Sequence, residues 1–381
     1  CFKMEGLNTY FLIILFSSTI IISYFFNLLA KKSGVPAVLM LIFLGILISF
    51  GLSVFGVQKP NLFPILQILG VVGLILIVLE AALDLHLLKE KFGLIFKSFF
   101  AALLGLGATS YICSLALVFF LNISFLNSLL YSIPISILSS AIILPSLSSL
   151  SDYKKEFMIY ESTFSDILGI VGFYAVLHAI GDSSNTGVYG EVFGNLVLTV
   201  IFSILISYSL IYIFQNIRGH NKLFLLISIL LLLYAVGKLF HLSSLIIILI
   251  FGVILNNHRI FFFGKMKEFV DFEKISSVLD DFKVVTGESA FVVRTFFFIL
   301  FGLSVSLGVL FNLQVLYIGF CLIFIIYLIR AITLFLFSGF DISPQLFLAP
   351  RGLITILLFY AIPEEFNPVS YFDGILLFVI L

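Results

Sequence analysis

Phe157-Met-Ile-Tyr-Glu161-Ser162-Thr-Phe-Ser165-Asp166-Ile-Leu-Gly-Ile-Val-Gly-Phe-Tyr-Ala-Val-Leu-His-Ala-Ile180 is an apolar run long enough to cross a bilayer, with two carboxylates in its first half. A crossing takes about 20 apolar residues, and an ionisable group inside one costs about 3 kcal/mol or more. Such groups are therefore paired or functional. Glu161 and Asp166 stand five apart, about 140° around a helix axis, so they point different ways. Ser162 and Asp166 are four apart and share a face. One carboxylate can thus be locked in an ion pair while the other faces a cavity as a titrating group, with the Ser162 oxygen one turn away and Ser165 as a neutral neighbour.

The rest of the chain agrees that this run is a membrane crossing. Of 381 residues, 62% are hydrophobic and 10% charged, and the mean hydropathy is +1.26, whereas soluble domains carry roughly 25% charge. That leaves no room for a separate soluble catalytic domain. Acidic and basic residues both number 20, with no basic tract of the kind that grips nucleic acid, so a nucleic-acid partner is excluded. Cys1, Cys113 and Cys321 lie far apart and share no ligand spacing with the five histidines, so neither a disulfide framework nor a resident metal or cofactor is expected.

Apolar runs between polar punctuation give spans at 7–30, 36–55, 62–84, 92–121, 126–150, 157–180, 189–216, 221–237, 242–256, 288–311, 314–338, 345–361 and 372 onward, the last expected to be incomplete. The expected fold is an all-α polytopic membrane protein of about 13 transmembrane helices. Fourteen Lys and Arg residues, Lys31, Lys89, Lys154 and Arg259 among them, fall at odd-numbered loops, against three at the N-terminus and even-numbered loops. By the positive-inside rule the N-terminus is outside and the C-terminus cytoplasmic. The polar stretch 257–287, with Phe269, Phe272, Val278 and Phe282 interleaved, reads as a cytoplasmic interfacial helix and linker.

Two spans are interrupted. Span five holds Ser132, Pro134, Ser139, Ser140 and Pro145; span twelve opens on Ser343-Pro344 and continues Ala349-Pro350-Arg351-Gly352. Proline opens the helix ladder, and bare carbonyls at membrane depth are tolerated only where protein or a watery cavity receives them. The two spans cross in opposite senses. With span seven as a linker, each is the fifth helix of a six-helix repeat, and the two repeats are inverted, an arrangement that points to a transporter's binding site.

The remaining charges inside spans are Glu80, Arg294, Arg330 and Arg351. Asp166 lies nine residues past the start of its span, about 14 Å deep and close to the midplane. Glu80, Glu161 and Arg330 lie in the cytoplasmic half, where long side chains can meet. Glu161 with Arg330 reads as a structural ion pair, Arg294 and Arg351 being the other available partners. A hard monovalent cation needs oxygen ligands, at least one anionic, and one carboxylate holds either that cation or a proton. Asp166 is the candidate for such competition.

At Glu161-Ser-Thr-Phe-Ser165-Asp166 the chain resembles the cation:proton antiporter superfamily, closest to the sodium/proton exchanger branch with its Glu-Ser-x-x-Asn-Asp signature on the sixth helix. Val35-Pro-Ala-Val-Leu-Met-Leu-Ile-Phe-Leu-Gly45 resembles that family's second helix and Leu79-Glu80-Ala-Ala-Leu-Asp84 the end of its third. Arg294-Thr-Phe-Phe-Phe-Ile-Leu-Phe-Gly302 is similar to the tenth, Leu328-Ile-Arg330-Ala to the eleventh and Pro350-Arg351-Gly352-Leu to the twelfth. The resemblance implies a homodimeric antiporter of the bacterial inner (plasma) membrane that exchanges Na⁺, or K⁺ or Li⁺, for H⁺. It implies that Asp166 binds cation and proton in turn, that Ser162 is a cation ligand, that Glu161 and Arg330 pair, and that Glu80 lies beside the site within reach of the cation through water. It also implies a division into scaffold helices (1–91), core helices (92–182), linker helix seven with further scaffold (183–311) and a second core segment (312–381). Ser165 stands where many relatives have Asn, leaving one titrating carboxylate as in electroneutral exchangers. Ile143-Leu144-Pro145 stands where they have Thr-Asp-Pro, which leaves backbone carbonyls and hydroxyls such as Ser139 and Ser140 on that side, with Pro145, Pro350 and Arg351 lining the unwound stretches. The rival readings are a cation channel, a K⁺ efflux system and an intramembrane aspartyl enzyme; the last needs two acids converging at one depth, and only Asp166 is near the midplane.

Overall fold

The computed structural model describes residues 9–33, 35–54, 63–87, 89–140, 142–143, 150–181, 188–216, 222–239, 244–262, 267, 270–304, 308, 312–366 and 372–380. Among the described residues there are thirteen helices of eight or more residues and no strand. They are α1 (Thr9–Ser33), α2 (Ala37–Val54), α3 (Phe63–Asp84), α4 (Phe92–Leu121), α5 (Phe125–Ser136), α6 (Asp152–Gly181), α7 (Val188–Asn216), α8 (Lys222–Leu239), α9 (Ser244–Asn256), α10 (Phe272–Ser304), α11 (Leu313–Ser338), α12 (Leu353–Tyr360) and α13 (Phe372–Ile380). By length and composition α1, α2, α4, α10 and α11 suffice to cross a membrane. A helix closes its backbone hydrogen bonds within itself, so it is the form an apolar chain takes in lipid. On α11 the alternation is explicit: Val315, Ile318, Leu322, Ile325 and Ile329 are buried, while Tyr317, Phe320, Phe324 and Leu328 face outward as a lipid-exposed apolar side.

The polar stretch 257–287 differs from the sequence reading. A single turn forms at His258–Phe261, and from Phe272 the chain runs unbroken into the apolar segment as the 33-residue helix α10. That is about 50 Å of helix, well over the ~30 Å hydrocarbon thickness. The charged residues therefore occupy the near end of a long helix and not a separate connector. Ile275, Val278, Leu279, Phe282, Thr286 and Ala290 form its buried stripe at helical spacing.

Helices α2, α3 and α10 pack together, as do α7, α8 and α9, with α9 also against α3. Separately, α4 packs on α5, α6 and α11, and α11 on α13. The helix pair α2–α10 crosses where neither has a side chain. A Cβ on Gly302 would stand 2.2 Å from the Ile42 carbonyl oxygen, and one on Gly45 2.2 Å from that of Ile299. Gly302→Ala is therefore expected to lower stability by about 1–3 kcal/mol through overpacking, read as a lower melting temperature in detergent; an unchanged value would mean the two helices are free to part.

The interruptions read from the sequence are present. Ser124 caps α5 by accepting from the Asn127 amide at 3.3 Å. The helix ends at Ser136, two residues after Pro134, and residues 137–139 are non-helical, with Ile137 extended, before helical conformation resumes at Ser140. In the twelfth span only Leu353–Tyr360 is α-helical, preceded by a 3₁₀ turn at Gln345–Phe347 and non-helical chain through Gly352. Leu144 and Pro145 lie outside the described residues.

Candidate functional site

The two interrupted segments touch. The Ser139 N–H donates to the Pro350 carbonyl at 3.1 Å, and the Ser139 carbonyl accepts from Ile142 and Ile143 at 3.3 and 3.1 Å, so the resumed helix starts against the other break. A Cβ on Gly352 would lie 2.0 Å from the Ser139 hydroxyl oxygen, which is why glycine follows Arg351 here. Arg351 itself is buried, donating through Nε to the Ile135 carbonyl at the end of α5 and through Nη1 to the Ala349 carbonyl at 3.1 Å. A guanidinium at the carbonyl end of a helix stands where the dipole is negative, which favours the cation.

Asp166 stands at the opposite pole. Its Oδ2 accepts from the Ser140 backbone N–H at 3.2 Å and from the Ser140 hydroxyl at 2.5 Å. Ser140 is where helical conformation resumes, and its backbone N–H and hydroxyl both donate to the carboxylate, a pair of donors suited to an anion. Asp166 is 2% exposed, and its Oδ1 is buried with no hydrogen-bond partner among the described residues. A buried oxygen left bare is costly unless something else fills its coordination.

Around it the sequence-derived residues sort clearly. Ser162, fully buried on α6, donates to its own helix at the Ile159 carbonyl at 3.2 Å, which leaves its oxygen lone pairs available as ligands. Ser165 accepts from the Leu138 N–H at 3.0 Å, so it braces the extended chain, and its oxygen is already engaged. Glu161 and Arg330 meet in a two-pronged contact, Nη1 to Oε1 at 3.2 Å and Nη2 to Oε2 at 3.4 Å, with 2% and 4% of the side chains exposed. Arg330 also donates from Nε to the Gln345 carbonyl at 3.2 Å. Arg330, and neither Arg294 nor Arg351, is thus the partner of Glu161.

Glu80 has a partner that the sequence reading did not give it. Its Oε1 lies 3.3 Å from Nη2 of Arg294 on α10, a pairing that hydropathy could not supply because it depends on which helices are neighbours. Both line a cavity of about 560 Å³ that runs from the last turn of α1 and the first residues of α2 past Asp84 to Ser140. Asp166 is not part of that lining; Ser140 stands between it and the open space. The Ser140 contact was legible only as two serines after a proline break, with nothing to say which of them would face the carboxylate.

A family model described as "Sodium/hydrogen exchanger, transmembrane" matches residues 16–381. Among solved structures, the chain is similar to the sodium proton antiporter MjNhaP1 from Methanocaldococcus jannaschii at pH 8, with a TM-score of 0.69 at 20% identity over 97% of this chain and 92% of that one. A three-dimensional electron-microscopy map of the same antiporter gives a TM-score of 0.68 at 18% identity over 98% and 93%. At these identities the likeness is one of fold. Comparison with curated proteins gives no match.

Proposed function

The chain belongs to the sodium/hydrogen exchanger family, and from that premise we propose that it exchanges one monovalent cation, Na⁺ first and K⁺ or Li⁺ after it, for one H⁺ by alternating access. It is an integral multi-pass membrane protein and an antiporter, in a family of transporters and not of enzymes. The observation that carries the mechanism is the asymmetry of Asp166, one oxygen held by Ser140 and the other buried and bare. A cation or a proton completes the second oxygen, and the two cannot occupy it together. Ser162 supplies a neutral oxygen on the same face, and the carbonyls of the extended segment offer the rest of a hard, oxygen-only shell.

One-for-one exchange follows from the count of free carboxylates. Among the described residues Glu161 is tied to Arg330 and Glu80 to Arg294, and at the contact between the interrupted segments Asp166 is the carboxylate without a cationic partner. The contact between the two interrupted segments supports two inverted six-helix repeats within about thirteen crossings. The close packing of α4 with α5, α6 and α11, and of α11 with α13, against lighter contacts of α6 with α3 and α9, supports a core that moves against a scaffold, with α7 as linker. The lysines at the α1–α2 turn support a cytoplasmic place for it by the positive-inside rule, and with it an inward-facing role for the cavity that α1 and α2 help to line, in an inner-membrane homodimer with its N-terminus outside. Because Ser140 lines the cavity and its hydroxyl holds the Asp166 carboxylate, which is itself outside that lining, a carrier is favoured over a continuous pore.

Proteoliposomes with the pH gradient and membrane potential set independently test this. Proton movement is expected to follow a cation gradient and to be indifferent to potential. Flux driven by potential alone would overturn the one-for-one stoichiometry. Cation flux without counter-moving protons, linear to high concentration, would overturn exchange in favour of a channel.

A further inference from the structure

Arg294 is a charge that the exchange cycle does not use. It sits in the wall of the 560 Å³ cavity beside Glu80, with Asp84 and Ser140 in the same lining. The contact is single-pronged, Nη2 to Oε1 at 3.3 Å, and the two side chains are 22% and 27% exposed. The Glu161–Arg330 pair, by contrast, is sealed at 2% and 4%. Gly287 stands by the same carboxylate, where a Cβ would come within 3.9 Å of Oε1, so the oxygen keeps open space beside it. The remaining walls are largely apolar, among them Leu41, Ile77, Phe291 and Phe298, so charges here are weakly screened.

We propose that Arg294 sets cation affinity: it is a tethered cation that occupies the Glu80 carboxylate on the approach to Asp166, and an arriving Na⁺ has to compete with it. This rests on the reading that the cation reaches Asp166 through the cavity. With the guanidinium in place, Glu80 is neutralised, and among the described lining residues Asp84 is the other acid on the route. With it removed, two carboxylates line the same weakly screened passage and draw a cation inward. Arg294 acts through Glu80, so it is a positioning residue and its signature is a change in KM with kcat preserved.

Na⁺ transport measured from the cavity side in proteoliposomes decides the matter. Arg294→Met is expected to lower the KM for Na⁺ about three- to tenfold with kcat at saturation little changed, most clearly at low ionic strength. Arg294→Gln, which keeps a hydrogen-bond donor for Glu80, is the second variant should the first fold poorly, and Arg294→Lys should restore the wild-type KM. Glu80→Gln should raise KM, and Glu80→Gln combined with Arg294→Met should return it toward wild type, the non-additivity expected of residues in contact. A KM that is unchanged or raised in both Arg294→Met and Arg294→Gln overturns the inference. The route is tested separately by Ala37→Cys in a background without the native cysteines, modified with a positively charged thiosulfonate. If modification leaves exchange intact, the route reading fails; if it stops exchange while the Arg294 variants keep the wild-type KM, the role of Arg294 alone is rejected.

Discussion

Asp166→Asn is expected to bring cation-driven proton movement down to the level of protein-free vesicles while leaving the protein folded. Asparagine has nearly the shape of aspartate, and its carbonyl oxygen can still accept from the Ser140 N–H and hydroxyl that now hold Oδ2. What it cannot do is bind a proton in exchange for a cation, since it has no charge to offer either. The amide nitrogen also points a donor into the place where Oδ1 is bare, which repels a cation directly. The measurement is paired: exchange in proteoliposomes, and monodispersity with melting temperature in detergent. Normal exchange by a folded Asp166→Asn protein would remove this residue from the mechanism.

The second large effect concerns stability. Arg330→Ala takes the cationic partner from the Glu161 carboxylate, which is 2% exposed, and stranding one member of a buried ion pair costs about 3–5 kcal/mol. The Gln345 carbonyl loses its Nε donor in the same change, which unties the chain just ahead of the twelfth-span break. Glu161→Gln should cost less, because a neutral amide is cheaper to bury and can still accept from the guanidinium. Exchanging both residues together, Glu161→Leu with Arg330→Met, should recover much of the loss, as apolar replacement of whole buried pairs does elsewhere. Thermal unfolding of the four proteins in one detergent orders them; if Arg330→Ala melts with the wild type, the pair is not structural.

Much of this organisation was legible in the residues themselves. The sixth run was read as 157–180 and the helix is Asp152–Gly181, because a long apolar stretch has one low-energy answer in lipid. The five-residue gap between Glu161 and Asp166 separated their partners in the structure, one to Arg330 and one to Ser140, as the helical angle requires. The interruptions were legible because proline and runs of serine break a ladder wherever they stand. Lateral neighbours were not. Nothing in the hydropathy of 62–84 says that α10 lies beside it, so the Glu80–Arg294 contact could not be read. Nor was the length of α10: frequent charges at 257–287 suggested a surface connector, although Ile275, Val278, Leu279 and Phe282 already traced one helical face.

Arg351 grips a carbonyl from each interrupted segment within one guanidinium. Two places where the chain leaves its peptide groups undone are in this way stitched to each other. The seam in each half is mended by the other half, so the chain can leave helical form at two places without the backbone loosening around them. Damage at either seam is damage to both.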